Sequence, residues 1–287
     1  MTMNRPTPSG DRVVYAYAIA LDTAGLDEAV AALTGVAAAP VRLVHDRVDP
    51  DLTAAVSSVP QADFDEDALK RHLEDLDWLE VTARSHHGVI EALAARTTVL
   101  PLRLATIYLA DEGVVDALDR GRAVFLDGLS RLSDHVEWGV KVYVQPKSAA
   151  GPAPAPERAS RSPGRAYLKG RRAQREGREQ FYALAARAAE KIEEAGRRYA
   201  SDRARHGVQQ GQLAVRPGEN VVNDAYLVSL AASEDFRTAA AGAAQGLAGV
   251  QVEVTGPWAP YSFAPRSLAD PGESGDASAG DQRSAGS

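Results

Sequence analysis

Two adjacent histidines, His86 and His87, are the main candidates in this sequence for residues that could do chemistry. An imidazole on a helix can ligate haem iron or another metal, and His87 falls on the apolar stripe of a helical pattern. The alternative is a histidine that is packed in the core with its ring nitrogens hydrogen-bonded. No second histidine or carboxylate completes a ligand set of diagnostic spacing, and His-Glu-x-x-His is absent. The spacing therefore favours a core histidine.

Other patterns that identify catalytic sites do not occur in the sequence. A nucleophilic serine on a sharp turn needs Gly-x-Ser-x-Gly, and nucleotide binding needs the Walker pattern or Gly-x-Gly-x-x-Gly. The chain contains none of these, and it contains no cysteine, which excludes thiol nucleophiles, disulfides and thiolate metal sites. Asp65 and Asp67 form a carboxylate pair, but they lie at a predicted helix start, where capping explains them better. We therefore expect no catalytic residues, no cofactor and no metal.

A run of basic residues is the remaining candidate for binding. It comprises Arg158, Arg161, Arg165, Lys169, Arg171, Arg172, Arg175 and Arg178. An RNA-binding arm is one hypothesis, but base stacking needs aromatic side chains, and only Tyr167 is at hand. The formal net charge of the chain is −7, which also argues against a nucleic-acid partner. A solvated helix face, or a basic patch that docks an acidic protein, fits the pattern better.

The elements that position these residues are organised around the stretch 137–144. Apolar residues alternate along it with Gly139, Lys141 and Tyr143, and Pro146 follows, which predicts a half-buried strand. The elements before it read strand, helix, strand, strand, helix, strand, then a connecting helix, and the same series restarts here. Each βαββαβ series predicts a four-stranded antiparallel sheet with both helices on one face, which is the ferredoxin-like arrangement. The fold prediction is α+β, with two tandem ferredoxin-like domains joined by a helix.

The predicted boundaries follow from this series and from composition. The domain predictions are a disordered N-terminus at 1–10, a first ferredoxin-like domain at 11–110, a connecting helix at 111–135, a second ferredoxin-like domain at 136–265 with a flexible insertion at 146–163, and a disordered tail at 266–287. The insertion and the tail are rich in Pro, Ala, Ser and Gly and bury too little surface to order themselves. Apolar spacing predicts one long helix at 64–95 capped by Asp63, one long charged helix at 165–206, and a strand at 213–216.

The composition is that of a globular protein. The chain has 287 residues, of which 45% are apolar and 25% charged, and its length suggests about two domains. The N-terminus lacks the apolar core of a signal peptide. The uncharged, alanine-rich stretch 29–41 is shorter than the roughly 18 residues that a membrane-spanning helix needs. We expect a cytoplasmic protein with no membrane partner.

Three large aromatic residues, Trp258, Tyr261 and Phe263, follow the last predicted strand. A polar chain end that carries three such residues is unusual. The simplest prediction is that the segment is strapped across its own second domain, with the aromatic rings closing the end of that core. This explanation is preferred over an aromatic ligand cage.

Four motifs, taken in order, carry a resemblance to a known family. They are His87 followed by Val-Leu-Pro-Leu-Arg at 99–103, Glu-Trp-Gly-Val-Lys-Val at 137–142, Gly-Arg-Ala-Tyr-Leu at 164–168 and Thr-Gly-Pro-Trp-Ala-Pro-Tyr-Ser-Phe at 255–263. Together they resemble the gas vesicle GvpF/GvpL family, over residues 13–264. Two departures are the insertion at 146–163 and Ala105-Thr106, which stands where the family pattern has Gly-Thr.

The resemblance implies a non-enzymatic accessory protein of gas vesicle assembly, located in the cytoplasm and at the vesicle. The family is described as binding the small, very hydrophobic shell protein, hindering its aggregation during nucleation, and remaining as a minor vesicle component. The implied partners are the shell protein and other gas vesicle accessory proteins. The resemblance places shell-protein contact in the first domain. The candidate partner-binding residues are Pro101, Leu102, Arg103, Arg165, Tyr167, Trp258 and Tyr261.

The enzyme alternative is a tandem ferredoxin-like haem protein or monooxygenase that uses His86 or His87. A Soret band in the visible spectrum of the purified protein would favour it. In either case the helices of each domain are expected to cover one sheet face, so the other face must meet solvent, a partner or the second sheet.

Overall fold

The computed structural model describes residues 12–145, 163–208 and 218–264, and the side chains at 163–170, 173, 174 and 176 are outside this description. The chain forms two compact units. Unit 1 contains residues 12–133 and 259–264 of the described chain, and unit 2 contains residues 134–258. No helix within the three described ranges combines the length and the apolar character that a bilayer-spanning segment requires.

Unit 1 is built on a four-stranded antiparallel sheet with the strand order β2-β3-β1-β4. Its elements are β1 (Arg12–Leu21), α1 (Leu26–Ala31), β2 (Val41–His45), β3 (Leu52–Pro60), α2 (Gln61–Phe64), α3 (Glu66–His72), α4 (Leu76–Ala94), β4 (Val99–Tyr108) and α5 (Asp111–Leu132). This order is the predicted βαββαβ series followed by one more helix. It confirms the ferredoxin-like sheet expected for the first half of the chain.

The single helix predicted at 64–95 is wrong, because the segment is divided into α2, α3 and α4. The carboxylate of Asp65 accepts a hydrogen bond from the backbone nitrogen of Ala68, and Asp75 accepts from the nitrogens of Asp77 and Trp78. Each aspartate therefore caps a new helix start, and Asp63, the predicted cap, lies within α2. The carboxylates of Asp65 and Asp75 thus satisfy the free N–H groups at the starts of α3 and α4, and the chain forms separate helices there.

The helix predicted at 111–135 as a connector, α5, is a structural part of unit 1. One core of this unit contains Tyr15 and Tyr17 of β1 with apolar residues of α1 and α4. The β1 residues that alternate with them, such as Val14 and Ala16, are buried as well, and α5 packs against all four strands. The expectation that one face of the first sheet lacks a covering helix is therefore wrong.

Ion pairs attach α5 to the sheet edge at β2 and to the following turn. The pair Arg42–Asp111 has an N–O distance of 2.6 Å and the pair Arg47–Asp116 one of 2.7 Å. A further pair joins Arg122 of α5 to Asp46, whose carboxylate is fully buried and also accepts hydrogen bonds from two backbone nitrogens. Burial alone would raise the pKa of Asp46, but these backbone donors and Arg122 outweigh it and lower the pKa.

Unit 2 repeats the same topology with the strand order β6-β7-β5-β8. Its elements are β5 (His135–Val144), α6 (Pro163–Tyr199), β6 (Ala200–Arg205), β7 (Glu219–Ser229), α7 (Ser233–Ala241) and β8 (Val250–Trp258). The stretch 137–144 lies in β5, which pairs with β7 and β8. The prediction that the βαββαβ series restarts at this strand is confirmed, and with it the two-sheet α+β fold.

The long charged helix ends earlier than predicted. α6 stops at Tyr199, and residues 200–205, predicted as helix, form β6 at the edge of the sheet. Arg203 of β6 lies opposite Tyr226 of β7, and its guanidinium makes ion pairs with Glu193 and Asp224. Cross-strand pairing and these ion pairs outweigh the helix propensity of a charged stretch. The strand predicted at 213–216, the ends 1–10 and 266–287, and the insertion 146–163, apart from Pro163, lie outside the described residues.

Candidate functional site

A wide bulge in β4 carries the Pro-Leu-Arg motif predicted to contact a partner. Pro101 pairs with Ala18 of β1, but the next pair is Thr106 with Ala16, so residues 102–105 fall between two consecutive rungs of the ladder. Ala105 closes the bulge with φ of 61°, in the left-handed region that favours glycine. The left-handed conformation explains why glycine is expected before Thr106. In this chain the bulge forms with alanine at that position.

A chain of buried hydrogen bonds fixes the backbone of the bulge. The hydroxyl of Tyr15 lies 3.0 Å from the backbone nitrogen of Ala105 and 3.0 Å from Nδ1 of His86. A carbonyl oxygen can only accept, so Nε2 of His86 carries the imidazole proton and donates to the carbonyl of Leu102 at 3.2 Å. Nδ1 of the neutral ring then accepts from the hydroxyl of Tyr15, whose oxygen accepts from the backbone N–H of Ala105. One neutral tautomer satisfies all three bonds, and His86 and Tyr15 together fix the backbone at both ends of the bulge.

The structure reverses the roles expected of the two histidines. His86 is the buried one, with 3% of its surface exposed, and His87 is half-buried. The predicted apolar stripe runs across the helix starts at Asp65 and Asp75, where each new helix changes which side chains face the core. Burial lowers the pKa of His86 to about 4. The hydrogen bond to the carbonyl of Leu102 raises this pKa by less than burial lowers it, and the neighbouring His87 lowers it slightly further.

Both ring nitrogens of each histidine are engaged within the protein. Those of His86 face Tyr15 and Leu102, as above. In His87, Nδ1 lies 3.3 Å from the hydroxyl of Tyr261 and Nε2 lies 3.1 Å from a carboxylate oxygen of Glu91. Haem or metal ligation by either histidine would have to break one of these contacts. Of the two hypotheses, a ligand or a packed histidine with bonded ring nitrogens, the geometry favours the second.

One group of described side chains has the composition of a metal site. Donor atoms of Asp22, Asp27 and His45 lie within 4.8 Å of one another. Nδ1 of His45 is also 3.0 Å from the carbonyl of Pro50, and the side chain of Asp27 is exposed. Exposed carboxylates beside a histidine are common at protein surfaces without an ion, so this grouping alone does not identify a metal site.

The predicted partner-binding residues are divided between the two units. Pro101 and Leu102 are buried, so these two cannot touch a partner directly, whereas Arg103 is exposed on the bulge. Trp258 ends β8 in unit 2 and is 38% exposed. Arg165 and Tyr167 lie on α6, in the part whose side chains are outside the description.

The aromatic chain end packs on unit 1, which corrects the prediction that it straps the second domain. Ala259 and Phe263 are buried, and Ala259 and Tyr261 pack against the core of Tyr15 and Tyr17. The guanidinium of Arg131 donates to the carbonyl of Phe263 at 2.7 Å. The predicted second-domain boundary at 265 is therefore wrong for residues 259–264: unit 2 ends at Trp258.

Comparison with known proteins agrees with this architecture. The family model described as gas vesicle synthesis protein GvpL/GvpF matches residues 13–265. The chain belongs to this family. It is also 41% identical to gas vesicle protein L of Streptomyces sp. (strain CB03234), over 89% of this chain and 94% of the relative. The match runs through both units, so the GvpL/GvpF assignment covers the whole described fold.

Two solved structures share the fold. The crystal structure of the gas vesicle protein GvpF from Anabaena sp. PCC7120 superposes with a TM-score of 0.58 at 17% identity, covering 89% of this chain and 97% of that one. GvpF from Microcystis aeruginosa gives a TM-score of 0.55 at 16% identity, covering 88% and 98%. At identities this low, the two superpositions show that the fold is shared and do not extend to function.

Proposed function

We propose that this protein is an accessory factor of gas vesicle assembly that binds the hydrophobic shell protein and hinders its aggregation during nucleation. The observation that carries the proposal is the GvpL/GvpF match over residues 13–265, which includes both ferredoxin-like units. We infer further that it works in the cytoplasm and at the vesicle, as a minor component, and without catalytic activity. The absence of nucleophile, phosphate-loop and dinucleotide motifs from the sequence supports the last inference.

The physical basis of such a role is mass action. A partner that is free at ten times its dissociation constant lowers the concentration of free subunit about elevenfold, or roughly 1.4 kcal/mol. Nucleation depends steeply on free subunit, so its onset is delayed by more than this factor. Modest affinity is therefore sufficient for a holding role.

Unit 1 offers apolar side chains for such a contact. Leu73, Leu76 and Val81 lie in one short segment around the start of α4 and are 48%, 75% and 66% exposed. Exposed large apolar side chains are available for contact with other proteins. Arg103, on the bulge, is the exposed member of the Pro-Leu-Arg motif, while Pro101 and Leu102 would support it from the core.

The test is the delay of shell-protein aggregation by the full-length chain, followed by light scattering. A fragment of residues 11–110 would lack α5 and expose a sheet face, so it is not a suitable probe. Dose-dependent delay is expected with wild type, a weaker delay with Arg103→Glu, and an unchanged delay with Arg120→Glu, a control at an exposed position of α5. If wild type causes no delay and does not co-purify with shell protein, the holding function is wrong.

A further inference from the structure

An open apolar groove lies between α1 and the C-terminal end of α4 in unit 1. Its floor is formed by Leu26, Val30 and Leu93, all buried in the core below, and its volume is about 370 Å³. Its walls include Ala29 of α1 and Ala92 of α4. Alanine methyl groups are too short to fill the space between two helices, so the groove is a direct consequence of the alanine-rich sequence of these segments.

A single cation stands at the mouth of this groove. Arg96 lines it just after the end of α4, is exposed, and makes no ion pair with any residue in the described ranges. The rest of the lining is aliphatic. An arginine favours a carboxylate because its planar guanidinium matches the two oxygens. The site thus fits an apolar side chain that has a carboxylate beside it.

The ends of this chain do not have the composition to fill the groove. Residues 1–11 contain only Met1 and Met3 as large apolar residues, and residues 265–287 contain only Leu268. Such segments bury too little apolar surface to offset the entropy of ordering them. Neither end of the chain therefore supplies an occupant for the groove.

We propose that this groove is the docking site for an amphipathic or apolar helix of the gas vesicle shell protein, with aliphatic side chains on the Leu26–Val30–Leu93 floor and a carboxylate on Arg96. The inference rests on the proposed function and adds its location and chemistry. A helix in a groove between two helices is a common mode of recognising apolar segments. The groove also explains how a water-soluble surface can hold an apolar subunit: the alanines keep a pocket open that a bulky side chain of the partner fills.

Two substitutions test the groove and two matched substitutions serve as controls. Ala92→Phe fills the space and Arg96→Glu reverses the charge at its mouth. Ala94→Phe adds the same ring at an exposed position of α4 outside the lining, and Arg120→Glu reverses an exposed charge on α5. Thermal unfolding of all four variants verifies that each is folded before binding is measured.

Binding is measured with two probes. The first is purified shell protein, through the concentration of this protein that doubles the aggregation delay. The second is 1-anilinonaphthalene-8-sulfonate, an apolar body with one negative charge, through its fluorescence. Ala92→Phe and Arg96→Glu are each expected to weaken both signals about tenfold, as for loss of an anchor contact. The controls are expected to stay within about twofold of wild type, as exposed substitutions usually do.

The outcomes separate this proposal from the proposed function. If wild type delays aggregation and the groove variants act like the controls, the holding function stands and the groove proposal is wrong. If the groove variants lose only the dye, the groove takes small amphiphilic anions and the proposal is also wrong. Tighter dye binding after deletion of residues 265–287 would show that the chain's own tail occupies the groove, which overturns it too. If wild type does not delay aggregation, both proposals fail.

Discussion

The hydroxyl of Tyr15 lies 3.0 Å from both Nδ1 of His86 and the backbone nitrogen of Ala105. One buried oxygen thereby links the central strand β1, the helix α4 and the bulge of β4. The hydroxyl donates one of these hydrogen bonds and accepts the other. A side chain without a hydroxyl at position 15 therefore loses both. The shape of the Pro-Leu-Arg bulge thus depends on two buried residues, Tyr15 and His86.

Replacing Tyr15 by Phe tests this dependence. The change leaves the nitrogen of His86 and the N–H of Ala105 without their partner, so the free energy of unfolding of unit 1 should fall by about 1–3 kcal/mol. The chain has three tryptophans, so labelling with 5-fluorotryptophan gives three ¹⁹F signals, of which Trp78 reports unit 1. Urea denaturation followed at that signal measures the loss. An unchanged midpoint would show that the hydroxyl contributes nothing.

The buried His86 should make unit 1 less stable as the pH falls. Its pKa is lowered to about 4 in the folded protein, from an ordinary value of about 6.5. The unfolded chain therefore binds a proton first, and stability that is fully present above the ordinary pKa is lost as the pH falls towards 4. Between about pH 7 and pH 5 this should cost about 2 kcal/mol.

The control for this pH dependence is His86→Gln, which cannot take up a proton. The variant is expected to be less stable than wild type near pH 7 but to show a flatter pH profile at the Trp78 signal. Equal slopes in the two proteins would mean that other groups produce the dependence.

Ala105→Gly should stabilise unit 1. Ala105 has φ of 61°, where the alanine side chain is strained, and glycine removes this strain at the cost of a more flexible unfolded chain. The net gain in the free energy of unfolding should be about 0.5–1 kcal/mol. Ala123→Gly, at an exposed position within α5, should instead lose about 1 kcal/mol. Two losses of equal size would show that the conformation at 105 carries no strain.

The sequence was sufficient to predict what depends on local periodicity. Alternation in the stretch 137–144 identified the strand that starts the second unit, because a half-buried strand has a period of two residues. The two βαββαβ series followed from the same signal. The phase of the helical stripe was not predictable across Asp65 and Asp75, since each cap starts a new helix, and the burial of His86 in place of His87 was missed for that reason.

Features that depend on tertiary packing could not be predicted in this way. The apolar stripe of α5 was visible in Val114, Leu118 and Phe125, but nothing in it says which sheet face it covers. The return of residues 259–264 to unit 1 has no periodic signal at all. The groove at Ala29 and Ala92 was also missed; its sequence signal is the set of alanines at 29, 31 and 32, which marks small volume without showing that two helices face each other.

The aromatic chain end should stabilise unit 1, although it follows the last strand of unit 2. Phe263 is buried in unit 1, and truncation to Ala should lower its free energy of unfolding by about 3 kcal/mol. The Trp78 signal is expected to melt at lower urea, with the Trp138 signal of unit 2 changing less. If the Trp138 signal shifts instead, the segment supports unit 2, as its place in the sequence suggested.

Tyr226 of unit 2 provides the opposite case to Tyr15. Both rings are almost fully buried, at 1% and 0% exposure, but the hydroxyl of Tyr226 has no hydrogen-bond partner within the described residues. A buried hydroxyl without a partner costs about 1–3 kcal/mol, so Tyr226→Phe should leave unit 2 unchanged or stabilise it by about 1 kcal/mol. Urea denaturation followed at the Trp138 signal measures this change. A loss as large as that of Tyr15→Phe would show that an ordered water bonds the hydroxyl in solution, because replacing the oxygen would then remove a real hydrogen bond.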